Sequence, residues 1–284
     1  MTPEAIEEKY QAYRQAIANH ITGKIVPEHD EDGHKYRFVQ SGKLVRSVTT
    51  KIIVDRPHLV PWAVKVAFEW MEQRWHTLNE MNREVLLKGA QMASGDVRDD
   101  AGGIGHLGHA AIEEYCLDWM ATGKRPDDIR KYVDPASDPR VFAIARSAER
   151  LFKDKPQYKP LAVEILVGDE TLNTAGTLDA LVMNMENGEV ELWDWKSSNH
   201  VHDTYAMQTA VYKELFEIMT GHPIDRLKIA HLSKDYDNPV LYVIPDMVGA
   251  LEAYKAISKV YDYVNDGNAK LVKDYVQQDF NIEI

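Results

Sequence analysis

A single cysteine, Cys116, serves a chain of 284 residues. That scarcity excludes an intramolecular disulfide, a cysteine-rich zinc site and a four-cysteine iron–sulfur cluster. On a helix, Cys116 reads as a small buried apolar residue. Long apolar runs are also missing. No uninterrupted stretch would span a bilayer and the opening MTPEAIEEKY lacks signal-peptide character, so the expectation is a cytoplasmic protein with no membrane partner. No glycine-rich phosphate loop ends in Lys-Ser or Lys-Thr, which excludes a nucleotide-driven motor. Positive charge is short as well: 33 basic residues face 45 acidic ones, a formal net charge of −12. A broad, non-specific nucleic-acid surface is therefore disfavoured. The local exception is 140–159, where Arg140, Arg146, Arg150, Lys153, Lys155 and Lys159 meet only Glu149 and Asp154. That segment is either a solvated helix face or a phosphate-facing one.

What is present reads as a globular chain of alternating elements. Helix is expected over Pro3–His20, a polar loop over VPEHDEDGHKYRF, and a short β-branched strand over SVTTKIIV. A long helix over 62–92 is expected to break at Gly102, Gly103 and Gly105, with a new helix over 106–122 stopped by Gly123. After a basic helix over 139–153, LAVEILVG, NTAGTLDALVMNM and EVELWDWKS read as three successive strands. Gly168-Asp169 and Asn187-Gly188 suit two-residue turns between them. A helix over Thr204–Thr220, the strands RLKIAHLS and PVLYVIP, and a helix over 246–265 complete the order. This predicts an α+β fold in α/β/α layers, a mixed central sheet flanked by helices. Residues 1–100 would form an N-terminal helical region with a short strand, packed on a core of 101–284.

The hairpin around Asn187-Gly188 carries charge where packing is expected. With those two residues at the turn, Asp179 falls opposite Lys196 and Asp194 opposite Leu181. Opposed residues share a face, as do residues two apart. Asp179, Asp194 and Lys196 then project together, the two aspartates diagonal at about 7–8 Å by backbone. Trp193 and Trp195 turn the other way, into packing. The Gly168-Asp169 turn pairs Glu164 with Asn173 and brings Glu164 to the same face, unless Glu170 and Thr171 belong to a longer loop. Charged side chains enter apolar strands only when paired or holding a metal. One explanation is a cross-strand Asp–Lys ion pair, worth about 0.2–1 kcal/mol. The other is a hard divalent cation of the Mg²⁺ type on oxygen ligands. A lysine beside it could position or deprotonate a water, or offset charge developing on a phosphate.

GTLDA followed by WDWKSS resembles the second and third elements of the PD-(D/E)XK nuclease superfamily, in its RecB-like, phage-type exonuclease branch. Upstream, GHLGHAAIEEY supplies Gly105, His109, Glu113 and Tyr115 in the family's order. Downstream, QTAVY supplies Gln208 and Tyr212. VEILV resembles the usual glutamate strand, and RSVTTKI resembles the Ser-Val-Thr box of phage-type nucleases. The likeness covers about 105–221, with Gly-Thr-Leu before Asp179 where the branch usually has proline. It implies a restriction-endonuclease-like core with Asp179, Asp194 and His109 as metal ligands and Lys196 as catalytic lysine. His106 competes with His109, but only His109 has the four-residue spacing from Gly105. Glu164 joins as a candidate ligand, with sheet packing an equal alternative. Gln208, Tyr212, Ser197, Ser47, Thr49, Arg146 and Arg150 are candidate nucleic-acid contacts; helix packing, strand propensity or a solvated face would also account for them. The implied activity is a Mg²⁺-dependent deoxyribonuclease, with Mn²⁺ substituting, without the iron–sulfur cluster that some relatives carry. It would be an exonuclease of recombination, repair or phage DNA processing, acting on DNA with a free end, with a recombination or single-strand-binding protein as partner. An endonuclease on the same core and a non-catalytic DNA-binding or assembly protein are the alternatives.

Overall fold

The chain runs α1 (Pro3–His20), β1 (Ile25–Asp30), β2 (Gly33–Phe38), β3 (Leu44–Ser47), α2 (Val48–Ile52) and α3 (Leu59–Gln73). It continues through α4 (Arg83–Thr122), α5 (Pro139–Asp154), β4 (Tyr158–Asp169), β5 (Thr174–Asn184) and β6 (Val190–Lys196). The last elements are α6 (Thr204–Thr220), β7 (Arg226–His231), β8 (Val240–Val243) and α7 (Met247–Asn265). The computed structural model describes residues 1–30, 33–52, 59–80, 82–235 and 239–265. Its strands form one mixed sheet in the order β1-β2-β3-β5-β6-β7-β8, with β4 paired to β5. The fold is α+β, as the element order predicts.

Strand β5 holds the sheet together. Strand β4 covers one of its edges from Asp169–Thr174 to Tyr158–Asn184. The opposite edge is shared by two strands. At its start β3 pairs in parallel through Arg46–Thr174 and Ser47–Ala175; at its end β6 pairs antiparallel from Ala180–Trp193 to Met183–Val190. Between them, residues 176–179 of β5 have no ladder partner on that edge among the described residues, so the sheet forks there. Two apolar layers flank it. Helices α1, α6 and α7 bury Tyr10, Tyr13, Leu215, Phe216 and Tyr254 against Leu178, Leu181, Met183 and Leu192. Helices α4 and α5 bury Ile112, Tyr115, Ile144 and Phe152 against Ala180, Val182, Trp193 and Trp195. Trp193 and Trp195 therefore pack as expected.

Several local expectations are corrected. The polar stretch read as a loop is the β1–β2 hairpin, registered from Ile25–Phe38 to Asp30–Gly33. Its polarity belongs to an edge position, where Arg37 Nη2 donates to Glu28 Oε2 at 2.8 Å while Ile25 and Tyr36 are buried. The β-branched SVTTKI is not a strand: after Ser47 the chain turns into α2. Ser47 Oγ accepts the Thr50 N–H at 3.0 Å as a helix cap, overriding strand propensity. Glycines 102, 103 and 105 do not break a helix, since α4 runs unbroken for 40 residues. The break comes earlier, between α3 and the Asn82 cap of α4. A division at residue 100 falls inside α4, and β1–β3 belong to the common sheet. Residues 53 and 54 of the expected strand lie outside the described residues.

Both tight turns are longer than expected, and this moves the registers. Asp169 pairs with Thr174, and its Oδ1 accepts the N–H groups of Thr171 and Leu172, each at 2.8 Å. At the other hairpin the Asn184 N–H reaches Glu189 O at 2.9 Å, enclosing 185–188 with Gly188 at φ +78°. Asp179 is consequently level with Asp194, not Lys196, and Glu164 is level with Asp179, not Asn173. Each register moved by an even number of residues.

One buried polar network ties the sheet to the tryptophan layer. Glu191 accepts from Trp193 Nε1 at 2.7 Å and Lys228 Nζ at 2.8 Å, and the Tyr158 hydroxyl donates to it at 3.1 Å. Removing one partner leaves a buried carboxylate uncompensated. Lys228→Met should therefore lose about 3–5 kcal/mol of unfolding free energy in urea titration. A loss below about 1 kcal/mol, the usual range of a surface pair, would show that the network is not buried in solution.

Candidate cation site

Glu164 and Asp179 sit where the alternation of both strands inverts. Val163–Ala180 and Ile165–Leu178 are the flanking ladder pairs. Val163 and Ala180 pack into the tryptophan layer, whereas Ile165 and Leu178 pack into the opposite one. Residues two apart on a strand ordinarily share a face. Here they do not, and on β4 the inversion coincides with a left-handed backbone at Glu164, φ +47°. Such a conformation in a non-glycine residue costs of order 1–3 kcal/mol and persists only where surrounding packing imposes it. The inversion lies beside the fork, so the two acids project where β5 lacks a neighbour.

Helix α4 brings the third member. Gly108 lets it approach α5, since a β-carbon there would lie 2.6 Å from Ile144 Cγ2. A β-carbon at Gly105 would lie 3.1 Å from Ser197 Oγ, so α4 crosses close to the end of β6. His109 is thereby delivered to the acids. One ligand atom each from His109, Glu164 and Asp179 all lie within 4.8 Å of one another. Asp179 Oδ2 also accepts the Trp195 N–H at 2.7 Å, replacing the ladder bond that ends at Ala180–Trp193.

Asp194 stands next to this trio and outside it. It is fully buried, and its Oδ1 has no hydrogen-bond partner among the described residues. Its one compensating contact is an ion pair with Lys196 Nζ. The Lys196 ammonium lies 4.9 Å from the Tyr205 ring centroid. Gathering carboxylates out of water dominates their protonation. Burial, then repulsion from Asp179, Glu113 and Asp194, pushes Glu164 up to about 8. Burial raises Asp194 to about 6 against the pull of Lys196, and raises Asp179 against Lys196 and the Trp195 N–H. Burial and then Lys196 push His109 down to about 4, leaving its imidazole neutral and able to act as a ligand at neutral pH. For Lys196, burial opposes the charge but Asp194 and Asp179 outweigh it, so its pKa is raised.

Three clustered carboxylates and one lysine leave negative charge uncompensated, and Asp194 leaves Oδ1 orphaned among the described residues. Carboxylate oxygens with one imidazole are a donor set suited to a hard divalent cation such as Mg²⁺ or Mn²⁺.

The other candidates fall in different places. Gln208 Nε2 donates to the Tyr212 hydroxyl at 3.2 Å, and the buried Tyr212 ring fills the fork against Gly176. A β-carbon on Gly176 would lie 2.5 Å from that ring, so the glycine is required. Ser47 is buried as the cap of α2 and shares hydrogen bonds with the hydroxyls of Thr49 and Thr50. Thr49 is exposed. Arg146 and Arg150 are exposed on α5, and Arg150 pairs with Asp154 at 3.5 Å. Sequence reasoning missed Tyr205, one helical turn before Gln208, and Tyr36, whose hydroxyl meets Thr177 Oγ1 at 3.2 Å in the fork. Helical spacing from Gln208 could have found Tyr205. Tyr36 lay in a stretch read as loop.

Glu164 gives the cluster a pH signature. Its pKa is raised on folding, so the folded state binds more protons and stability falls as pH climbs from the ordinary 4.5 to about 8. His109 acts in the opposite sense below 6.5, so the readout is a difference between proteins. Without divalent cation, the thermal stability of Glu164→Gln relative to wild type should increase across that window. A constant difference would show that Glu164 titrates normally. Compared with protein-family models and with curated proteins, the chain matches none.

Proposed function

We propose that the protein is a divalent-cation-dependent deoxyribonuclease of the PD-(D/E)XK kind, working as an exonuclease. The observation that carries this reading is the convergence of His109, Glu164 and Asp179 from a helix and two strands, with Asp194 and Lys196 adjoining. The motif order along the chain supports it. His109, Glu164 and Asp179 would hold Mg²⁺ or Mn²⁺, with Asp194 as a further ligand once its oxygens leave Lys196. A bound cation supplies Lewis acidity toward a phosphoryl oxygen and lowers the pKa of a coordinated water. Lys196 would orient the attacking water or offset charge on the phosphate. Helix α3 and the α4 segment before Ile104 contribute nothing to the two main apolar layers among the described residues, which suits a wall alongside a DNA strand. Phage or bacterial recombination and repair is the setting that the motif set suggests, with a recombination or single-strand-binding protein as partner.

One observation favours a second reading. The Asp194–Lys196 ion pair also suits a non-catalytic DNA-binding protein whose charges merely compensate each other. The two readings part on metal. Asp194→Asn removes a ligand charge and should lose both metal affinity and cleavage. Lys196→Ala removes no ligand and should bind Mg²⁺ or Mn²⁺ at least as well as wild type, while cleavage of end-labelled linear DNA falls by about 10²–10⁴. Calorimetric titration and a cleavage assay decide it. Wild-type protein that binds no divalent cation in the presence of DNA leaves the second reading standing. Equal rates on closed circular and linear single strands would replace the exonuclease with an endonuclease.

A further inference from the structure

We infer that Tyr205 is a positioning residue for Lys196: its ring face holds the ammonium in reach of the reacting phosphate when Asp194 turns away. The inference rests on the nuclease reading and adds a residue to it.

The argument starts from where Lys196 is attached. It is the last residue of β6, with its carbonyl bonded to the Leu232 N–H at 2.8 Å and its backbone level with His231 of β7. The backbone is thus fixed, but four flexible side-chain carbons separate it from the charge. Two partners surround that charge: the Asp194 carboxylate and the Tyr205 ring at 4.9 Å. Asp194 is the contact that a cation competes for, because its carboxylate is buried with Oδ2 on Lys196 and Oδ1 unpartnered among the described residues. An ammonium released by Asp194 would otherwise be free to swing toward solvent. With Asp179, the other carboxylate that attracts Lys196, also engaged by the cation, the aromatic face is the contact that remains, and a cation over a tyrosine ring is held without neutralising its charge.

The ring is itself held at its hydroxyl and along its side, and its backbone is tied into α6. Its hydroxyl donates to Ser198 Oγ at 3.1 Å, and Ser198 Oγ donates to the His200 carbonyl at 2.7 Å. His231 Nε2 donates to the Ser198 carbonyl at 2.6 Å, tying the same loop to β7. The His202 ring packs edge-on against Tyr205 at 5.4 Å between centroids. Thr209 Oγ1 donates to the Tyr205 carbonyl at 3.0 Å one turn along α6. The segment after Lys196 therefore returns to place one aromatic face over the lysine. A solvent-filled loop would need none of these contacts.

Single-turnover cleavage of end-labelled linear DNA with Mg²⁺ tests it on the full chain. Tyr205→Leu and Tyr205→Met should each slow cleavage about 2- to 30-fold, the span of one cation–π contact, with DNA affinity unchanged. Tyr205→Phe keeps the ring and loses only the hydroxyl, so it should restore the rate to within about twofold. In a Lys196→Ala background, Tyr205→Leu should cost nothing further, because nothing remains to position. Unfolding midpoints show which of the two aliphatic variants is folded and fit to read. The inference is overturned if wild type cleaves and both folded variants cleave equally well, or if the loss is as large without Lys196. If wild type cleaves no DNA with Mg²⁺ or Mn²⁺, the nuclease reading fails and this inference goes with it.

Discussion

The left-handed backbone at Glu164, level with Asp179 across the β4–β5 ladder, is the constraint on which the site depends. A regular strand would send both side chains into an apolar layer, where a carboxylate is costly. The inversion lets Val163 and Ala180 serve one layer, Ile165 and Leu178 the other, and leaves the acids at the crossing point. Strain of this kind needs support from outside the residue. Here it comes from a β5 strand clamped along its β4 edge and held at both ends of the other edge by β3 and β6.

The fork follows from the same arrangement. Because β3 and β6 share one edge of β5, a gap opens over 176–179 that side chains must fill. Tyr212 enters it against Gly176, with Gln208 bound to its hydroxyl, and Tyr36 reaches Thr177 from the hairpin side. The Trp195 N–H, freed from the ladder, is taken by Asp179. Glycines 105 and 108 bring α4 close enough to contribute His109. Packing, backbone satisfaction and the ionisable cluster therefore have a common origin, and a change at the fork should be felt at all three.

The placement of charge on one sheet face was legible in the hairpin for a reason that only partly applies. Both registers were wrong, yet each was displaced by an even number of residues, which preserves facing. The pairing partners were not preserved: Asp179 is level with Asp194, and Lys196 reaches Asp194 along its own strand. The inversion at Glu164 could not be anticipated, because glutamate carries no sign of a left-handed conformation that glycine or asparagine would advertise. The β1–β2 hairpin and α2 were misread because local composition competes with edge pairing and with a serine cap, and tertiary burial decided both.

By itself the sequence determined helices α1, α5, α6 and α7 and the end of α4, the run of apolar strands β4 to β6 with tryptophans facing one layer, and the α+β class. These depend on periodicity and on glycine stops at 123 and 221, which are local properties. It also named the ionisable residues, since few acids sit in otherwise apolar strands. Tertiary structure alone decided that His109, Glu164 and Asp179 form the tight group, that Asp194 is paired with Lys196 beside it, and that Tyr205 faces the lysine. His109 lies tens of positions from the two acids, and even the near neighbours Asp194, Lys196 and Tyr205 meet only because the chain turns back after β6. These relations are fixed by helix-to-sheet approach distances and by which edge of β5 each strand occupies, and no periodicity encodes either.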